Sequence, residues 1–233
     1  MVAGEKAEVN SEVLWTLYQT FPEMQKELES VEVLWAYMNP AFQLHFTKKQ
    51  VANLSDLANT VISAGGSNQS EIIKLLGASA EAMPMTDVYL AMQKGVAEGC
   101  FLPYAPLRTQ KIADLLHYHT NANLMAVSFF TVINKSAWEK ISAEDQKAIR
   151  VISGMTAAVK CGRVFDTHQE IDTAWMRAKG DAFVTLTPEQ RKDWANKILP
   201  IRDTWVADAK AKGYQNPEGI LATALEQMEA KDK

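Results

Sequence analysis

Cysteine is nearly absent. Two in 233 residues, Cys100 and Cys161, are too few for a disulfide-built scaffold and lack the close pairing of a zinc site. Both read as packed residues, with a single Cys100–Cys161 disulfide left open to an exported chain. No run of about 18 apolar residues occurs, so the sequence encodes no membrane-crossing helix. The opening "MVAGEKAEVNSEVLW" has no apolar core of the kind a signal peptide needs. Positive charge is short as well. Lys and Arg number 24 against 28 Asp and Glu, a net charge of −4 that offers no attraction toward nucleic acid or anionic lipid. Also missing are G-x-S-x-G, a Cys-His or Ser-Lys pairing, a P-loop and a dinucleotide fingerprint. These absences argue against a hydrolase, a nucleotide enzyme and any cofactor, and the chain reads as a non-enzyme.

What is present is an alternation of strand-like and helix-like segments. "VEVLWAYM" (31–38) is β-branched and aromatic and ends at the turn signal Asn-Pro. "TVISA" (60–64) closes on Gly65-Gly66. "SNQSEIIKLLG" reads as a helix with Ser67 at its N-cap and Gly77 at its stop. "MPMTDVYLAMQKGVAEG" (83–99) reads as an amphipathic helix capped by Thr86, burying Val88, Ala91, Met92 and Val96 and stopping at Gly99. "MAVSFFTVIN" (125–134) is apolar throughout, which predicts a strand buried on both faces. From Ser142, an acidic variant of the capping box opens a helix expected to run to about Gly180, with internal Gly154 and Gly162. "AFVTL" is a further strand. "TPEQ" (Thr187, Pro188, Gln190) and "NPEG" (Asn216, Pro217) each open a helix with a cap followed by proline. The alternation predicts an α/β fold with at least partly parallel sheets.

The candidate functional residues sit at strand ends. Gly65-Gly66-Ser67 leaves backbone N–H groups free at a helix N-terminus, where they meet a ligand oxygen or merely turn the chain. Cys100-Phe101-Leu102-Pro103-Tyr104 follows a strand end, the place where ligand crevices form in α/β sheets. Phe101 and Tyr104 are therefore either ligand walls or core filling. His117 and His119 would share one face of a strand, a two-ligand metal start without a third ligand beyond Asp114. His45 and His168 have no visible partner.

The same residues resemble one family. "MPMTDVYLAMQKGVAEG" is similar to the signature of solute-binding subunits of TRAP (tripartite ATP-independent periplasmic) transporters, of the dicarboxylate-binding, DctP-like type. Met92 stands where Leu is usual and Glu98 where Asp is usual. "HYHTNANLMAVSFFTVINKSAWEKISAEDQKAI", "VTLTPEQRKDWANKILPIRDTWVADAKAKG" and "TKKQVANLSDLANTVISAGGSNQSEIIKLLGA" extend the resemblance from about Ser11 to the C-terminus. It implies a two-lobed, periplasmic-binding-protein-like α/β fold of the TRAP subclass, with a long lobe-spanning helix. Lobe I would comprise 1–40 and 125–165, its N-terminal portion missing, and lobe II 41–124 and 166–233. It also implies capture of a small organic solute, a carboxylate or an aromatic, and delivery to TRAP membrane permease subunits from the periplasm, without chemistry on the ligand.

Two departures shape the expected site. The family's carboxylate-binding arginine aligns with Ser63, whose hydroxyl cannot replace a bidentate cation. A polar position seen in some members aligns near Leu102, and another contact position falls near Gln43. Expected ligand contacts are thus Gln43, Ser63, Gly65, Gly66, Phe101, Tyr104 and Phe129. The alternative is a remnant that has lost its pocket and serves as a protein-interaction module.

Overall fold

The structure, a computed structural model, describes residues 4–231. Its helices are α1 (Ala7–Thr20), α2 (Pro22–Glu27), α3 (Ser67–Leu75), α4 (Met85–Gln93), α5 (Tyr104–Thr109), α6 (Lys135–Trp138), α7 (Ala143–Ile152), α8 (Gly154–Lys179), α9 (Pro188–Ile198), α10 (Pro200–Ala211) and α11 (Pro217–Lys231). The strands are β1 (Val31–Met38), β2 (Gln43–Phe46), β3 (Val61–Ala64), β4 (Ser79–Ala82), β5 (Gly99–Leu102), β6 (Tyr118–Asn121), β7 (Ser128–Asn134) and β8 (Ala182–Thr185). The chain divides into two compact units.

The first unit holds Phe42–Met125 and His168–Thr204. Its sheet has the order β4-β3-β5-β2-β6-β8. β3 runs parallel to β4 and β5, and β6 parallel to β8, while β2 is antiparallel to both its neighbours. One register row crosses all six strands as Glu81, Ser63, Cys100, His45, His119 and Phe183. Residues directly opposite across a ladder point to the same face, so this row carries polar groups onto one side of the sheet. β5 and β2 have every residue buried.

The second unit holds the described residues of Ala3–Ala41, Ala126–Thr167 and Trp205–Lys233. Here β1 pairs antiparallel with β7. Leu14 and Trp15 of α1 pack on Ala36 and Met38 of β1 and on Ala158 of α8. Val13 and Leu17, on the neighbouring stripe of α1, meet Ala224 and Met228 of α11. That contact groups Trp205–Lys233 with this unit, whereas the sequence reading placed all of 166–233 with 41–124.

Three local expectations are corrected. The helix at 85–93 stops at Gly95, whose φ of +74° supplies the left-handed turn, and not at Gly99. Its cap position is Pro84 rather than Thr86, and the cap of α3 is Gly66 rather than Ser67. Val96 then lies beyond the helix and is exposed.

The helix expected from Ser142 to Gly180 is two helices. It breaks at Ser153, and Gly154 follows with φ +65°. A left-handed residue cannot continue an α-helix, so the glycine read as an internal tolerance is the joint. β7, predicted to be buried on both faces, exposes Phe129, Phe130 and Val132, because β1 is its one pairing partner among the described residues.

The other caps follow the sequence. Ser142 Oγ accepts from the Asp145 N–H, Thr187 and Gln190 form a reciprocal box, and Asn216 Oδ1 accepts from the Gly219 N–H.

Candidate functional site

Within the first unit, the carboxyl end of β5 turns at Pro103 into α5, and this turn lays the Tyr104 ring over the polar register row. Its centroid lies 5.0 Å from that of His45, 5.8 Å from His119 and 6.0 Å from Phe183. The Tyr104 hydroxyl donates to Asn121 Oδ1 at the end of β6. Burial pushes the phenol well above its ordinary range, with Arg177 opposing, so Tyr104 stays a neutral donor.

Beneath the ring, His45 Nδ1 is 2.8 Å from His119 Nδ1, and His45 Nε2 is 3.0 Å from the Leu102 carbonyl. His119 Nε2 is 3.2 Å from Asp181 Oδ2. Both imidazoles are fully buried. Burial, with the neighbouring His119, holds His45 well below the ordinary histidine range. Burial and the positive charges of Lys179, His117 and Arg177 take His119 down to about 3.

Gln43 lies two residues before His45 on β2 and so faces the same way. Its Oε1 accepts from the Ala122 and Asn123 N–H groups at 2.7 and 3.0 Å, and its Nε2 donates to Asn123 Oδ1. The turn it ties down needs that help, since Asn123 has φ +50°.

Ser63 is buried beside Cys100 in the register row. The Gly65 N–H, expected to be free, donates to Gln69 Oε1 at 2.6 Å. The side chain one helical turn into α3 therefore folds back and occupies an amide that the sequence reading left for a ligand. Gly66 is exposed, and nothing within 4 Å stands where its Cβ would be.

Phe101 has no exposed surface and packs edge-on against Phe42 at 5.3 Å, so its surroundings within this unit are those of a core residue. Phe129, in the second unit, is 39% exposed, and its ring stacks on Tyr37 at 5.4 Å. The structure thus gathers Gln43 and Tyr104 around one polar network and sets Phe101 behind it.

The network's other members, His45, His119, Asn121 and Asp181, escaped sequence reasoning. "HYHTN" signalled a strand with two histidines on one face. The partner of His119, however, comes from the register of β2 against β6, 74 residues away.

A nucleophile is not activated here. Burial pushes the Cys100 thiol up, away from the reactive thiolate, although His45 is its cross-strand neighbour. Cys100 and Cys161 are both free thiols. Among the described residues no cluster of three His, Cys, Asp or Glu side chains could hold a metal ion, and no helix is long and apolar enough to cross a membrane.

Known proteins place this architecture. The family of bacterial extracellular solute-binding proteins, family 7 (DctP), matches residues 9–208. An outer membrane transporter protein, TsaT, of Comamonas testosteroni is 26% identical over 91% of this chain, which spans 63% of that protein's length. A TRAP solute-binding protein from Rhodoferax ferrireducens T118, solved with copurified benzoate, superposes with a TM-score of 0.89 at 21% identity, over 99% of this chain and 72% of its own. A TRAP periplasmic solute-binding protein from Bordetella bronchiseptica, solved with (R)- and (S)-mandelate, gives 0.85 at 24% identity, over 97% and 72%. These similarities fix the fold as that of TRAP solute-binding proteins, including the long helix α8. With 200 of its 233 residues inside the match (208 − 9 + 1), the chain belongs to the DctP family of solute-binding proteins.

Proposed function

We propose that this chain captures a small organic acid, aromatic acids foremost, and presents it to the membrane permease of a TRAP transporter on the periplasmic side. The observation that carries the reading is the family match across residues 9–208. Support for the aromatic class comes from two solved relatives, whose ligands are benzoate and mandelate. The family resemblance sets Ser63 where a carboxylate-binding arginine is usual, and on this reading the carboxylate is held by neutral donors. We assign that role to the Ser63 hydroxyl and the Gly66 amide, with Tyr104 and Gln43 shaping the neighbouring wall. Phe129, on the second unit, keeps a ring that is 39% exposed, and it stays a proposed contact on that unit alone. Phe101 and Gly65 contribute support from behind, since the ring is buried and the amide is bonded to Gln69. Neutral donors hold a carboxylate less tightly than a bidentate guanidinium does, which predicts modest affinity.

Thermal unfolding with benzoate, mandelate and malate at millimolar concentration is the direct test. A ligand at about 100 times its Kd stabilises the folded state by about 2.7 kcal/mol, a shift of several degrees for a chain of this size. A flat response to all organic acids would instead favour an interaction module without a pocket.

A further inference from the structure

β7 places two phenylalanines side by side, and their surroundings differ. Phe129 and Phe130 are 39% and 37% exposed, and as consecutive strand residues they point to opposite faces. Across the ladder Phe130 meets Ala36, whereas Phe129 meets Tyr37. The Tyr37 and Phe129 rings lie 5.4 Å apart at 18°, and Phe165 of α8 lies 6.1 Å from Tyr37 at 25°. Phe165, Tyr37 and Phe129 are thus three nearly parallel rings, with Tyr37 common to both pairs, and all three belong to the second unit.

This stack holds a ring that would otherwise turn. A ligand that stacks on a freely turning side chain must first order it, at a cost in affinity. Tyr37 orders the Phe129 ring before any ligand arrives, and Phe165 does the same for Tyr37. Among the described residues β1 is the one strand paired with β7, so none lies along its other edge. The strand sequence SFFTVIN has no charged residue, so an apolar ring settling there strips water from no ion on β7. Burial, with Cys161 nearby, raises the Tyr37 phenol above its ordinary range, and Tyr37 stays a neutral ring at neutral pH.

We infer that Tyr37 is a positioning residue for aromatic ligands: backed by Phe165, it presents the Phe129 ring as the face on which the ring of an aromatic acid stacks. The inference rests on the capture of organic acids proposed above, and it adds the residue that selects a planar ring over a saturated one. Stacked rings gain from their quadrupoles beyond the apolar area they bury, a gain of about 2- to 10-fold in affinity. A saturated ring of the same size covers Phe129 without that gain.

Benzoate and cyclohexanecarboxylate separate the two contributions, because they share the carboxylate and the ring size and differ in the π face. Calorimetric titration of the natural chain should show benzoate the tighter by about 2- to 10-fold. Phe129→Leu should erase that ratio, Tyr37→Leu should bring it toward one, and Tyr37→Phe should keep it. Phe130→Leu, on the opposite face, should leave it unchanged. Equal affinities in the natural chain, or a ratio that survives Phe129→Leu or Tyr37→Leu, overturn the inference and leave solute capture standing. If neither acid binds, the aromatic reading of the solute falls and this inference falls with it.

Proton spectra of the natural chain give a second reading that needs no variant. Added benzoate should shift the ring protons of Phe129 and leave those of Phe130 in place. A saturating titration that leaves the Phe129 ring protons unmoved overturns the inference, and where a variant does not fold these spectra decide.

Discussion

Gly99 lies so close to His45 that a Cβ added to it would fall 2.6 Å from the His45 carbonyl oxygen and 2.7 Å from the Phe46 ring. The glycine is a strand residue pressed against β2, and its smallness sets how tightly β5 joins the polar row. Gly99→Ala should therefore destabilise the protein by about 1–3 kcal/mol through overpacking. Urea unfolding midpoints check this, with Gly66→Ala as the control, because a Cβ there meets nothing within 4 Å and Gly66 has extended backbone. Equal effects from the two substitutions would contradict the account.

A carboxylate distant in sequence ties down α1. Asp166 accepts from the Ala7 N–H at Oδ1 (2.8 Å) and from the Glu8 N–H at Oδ2 (3.0 Å), serving as the cap that Lys6 does not provide. Asp166→Ala should cost about 1 kcal/mol, the usual worth of an N-cap, and amide hydrogen exchange at Ala7 and Glu8 should accelerate. Unchanged protection at those two amides would show that the cap contributes nothing.

Acid should weaken the first unit. Both His45 and His119 have folded pKa values below the unfolded value of about 6.5. As pH falls through about 6.5, the unfolded chain takes up protons that the folded histidines refuse, so the unfolded state gains and stability drops. Urea midpoints measured from about pH 7 to pH 5 should decrease steadily. A midpoint that rises toward acid would show that these histidines are charged when folded.

The exposed side chains on β7 predict behaviour in concentrated solution. Phe129, Phe130 and Val132 are 39%, 37% and 41% exposed on a strand without a charged residue. Such an edge templates pairing with other chains. Val132→Lys should lower concentration-dependent association in sedimentation or light scattering and leave the unfolding midpoint nearly unchanged. Association that persists in the variant would place the sticky surface elsewhere.

Much of this protein was legible in its sequence wherever one segment decides its own conformation. "VEVLWAYM" is β1, residue for residue, because β-branched and aromatic side chains suit a pleated, half-buried surface. Thr187 and Gln190 form their box because both partners lie within one turn of helix. The family resemblance was carried by such local stretches as well.

What the sequence left open depends on which strands become neighbours. Whether "MAVSFFTVIN" is buried turns on how many strands flank it, and periodicity does not report that number. The Gly65 amide is the exception, a local contact that the sequence reading missed: Gln69, four residues on, folds back over it. His45 looked partnerless and His119 was read with His117, whereas the register of β2 against β6 sets the Nδ1 atoms of His45 and His119 2.8 Å apart, with Asp181 on the far side. Local patterns fix elements, because the relevant energies act over a few residues. The polar network is a product of long-range pairing, and that pairing exists only in the folded chain.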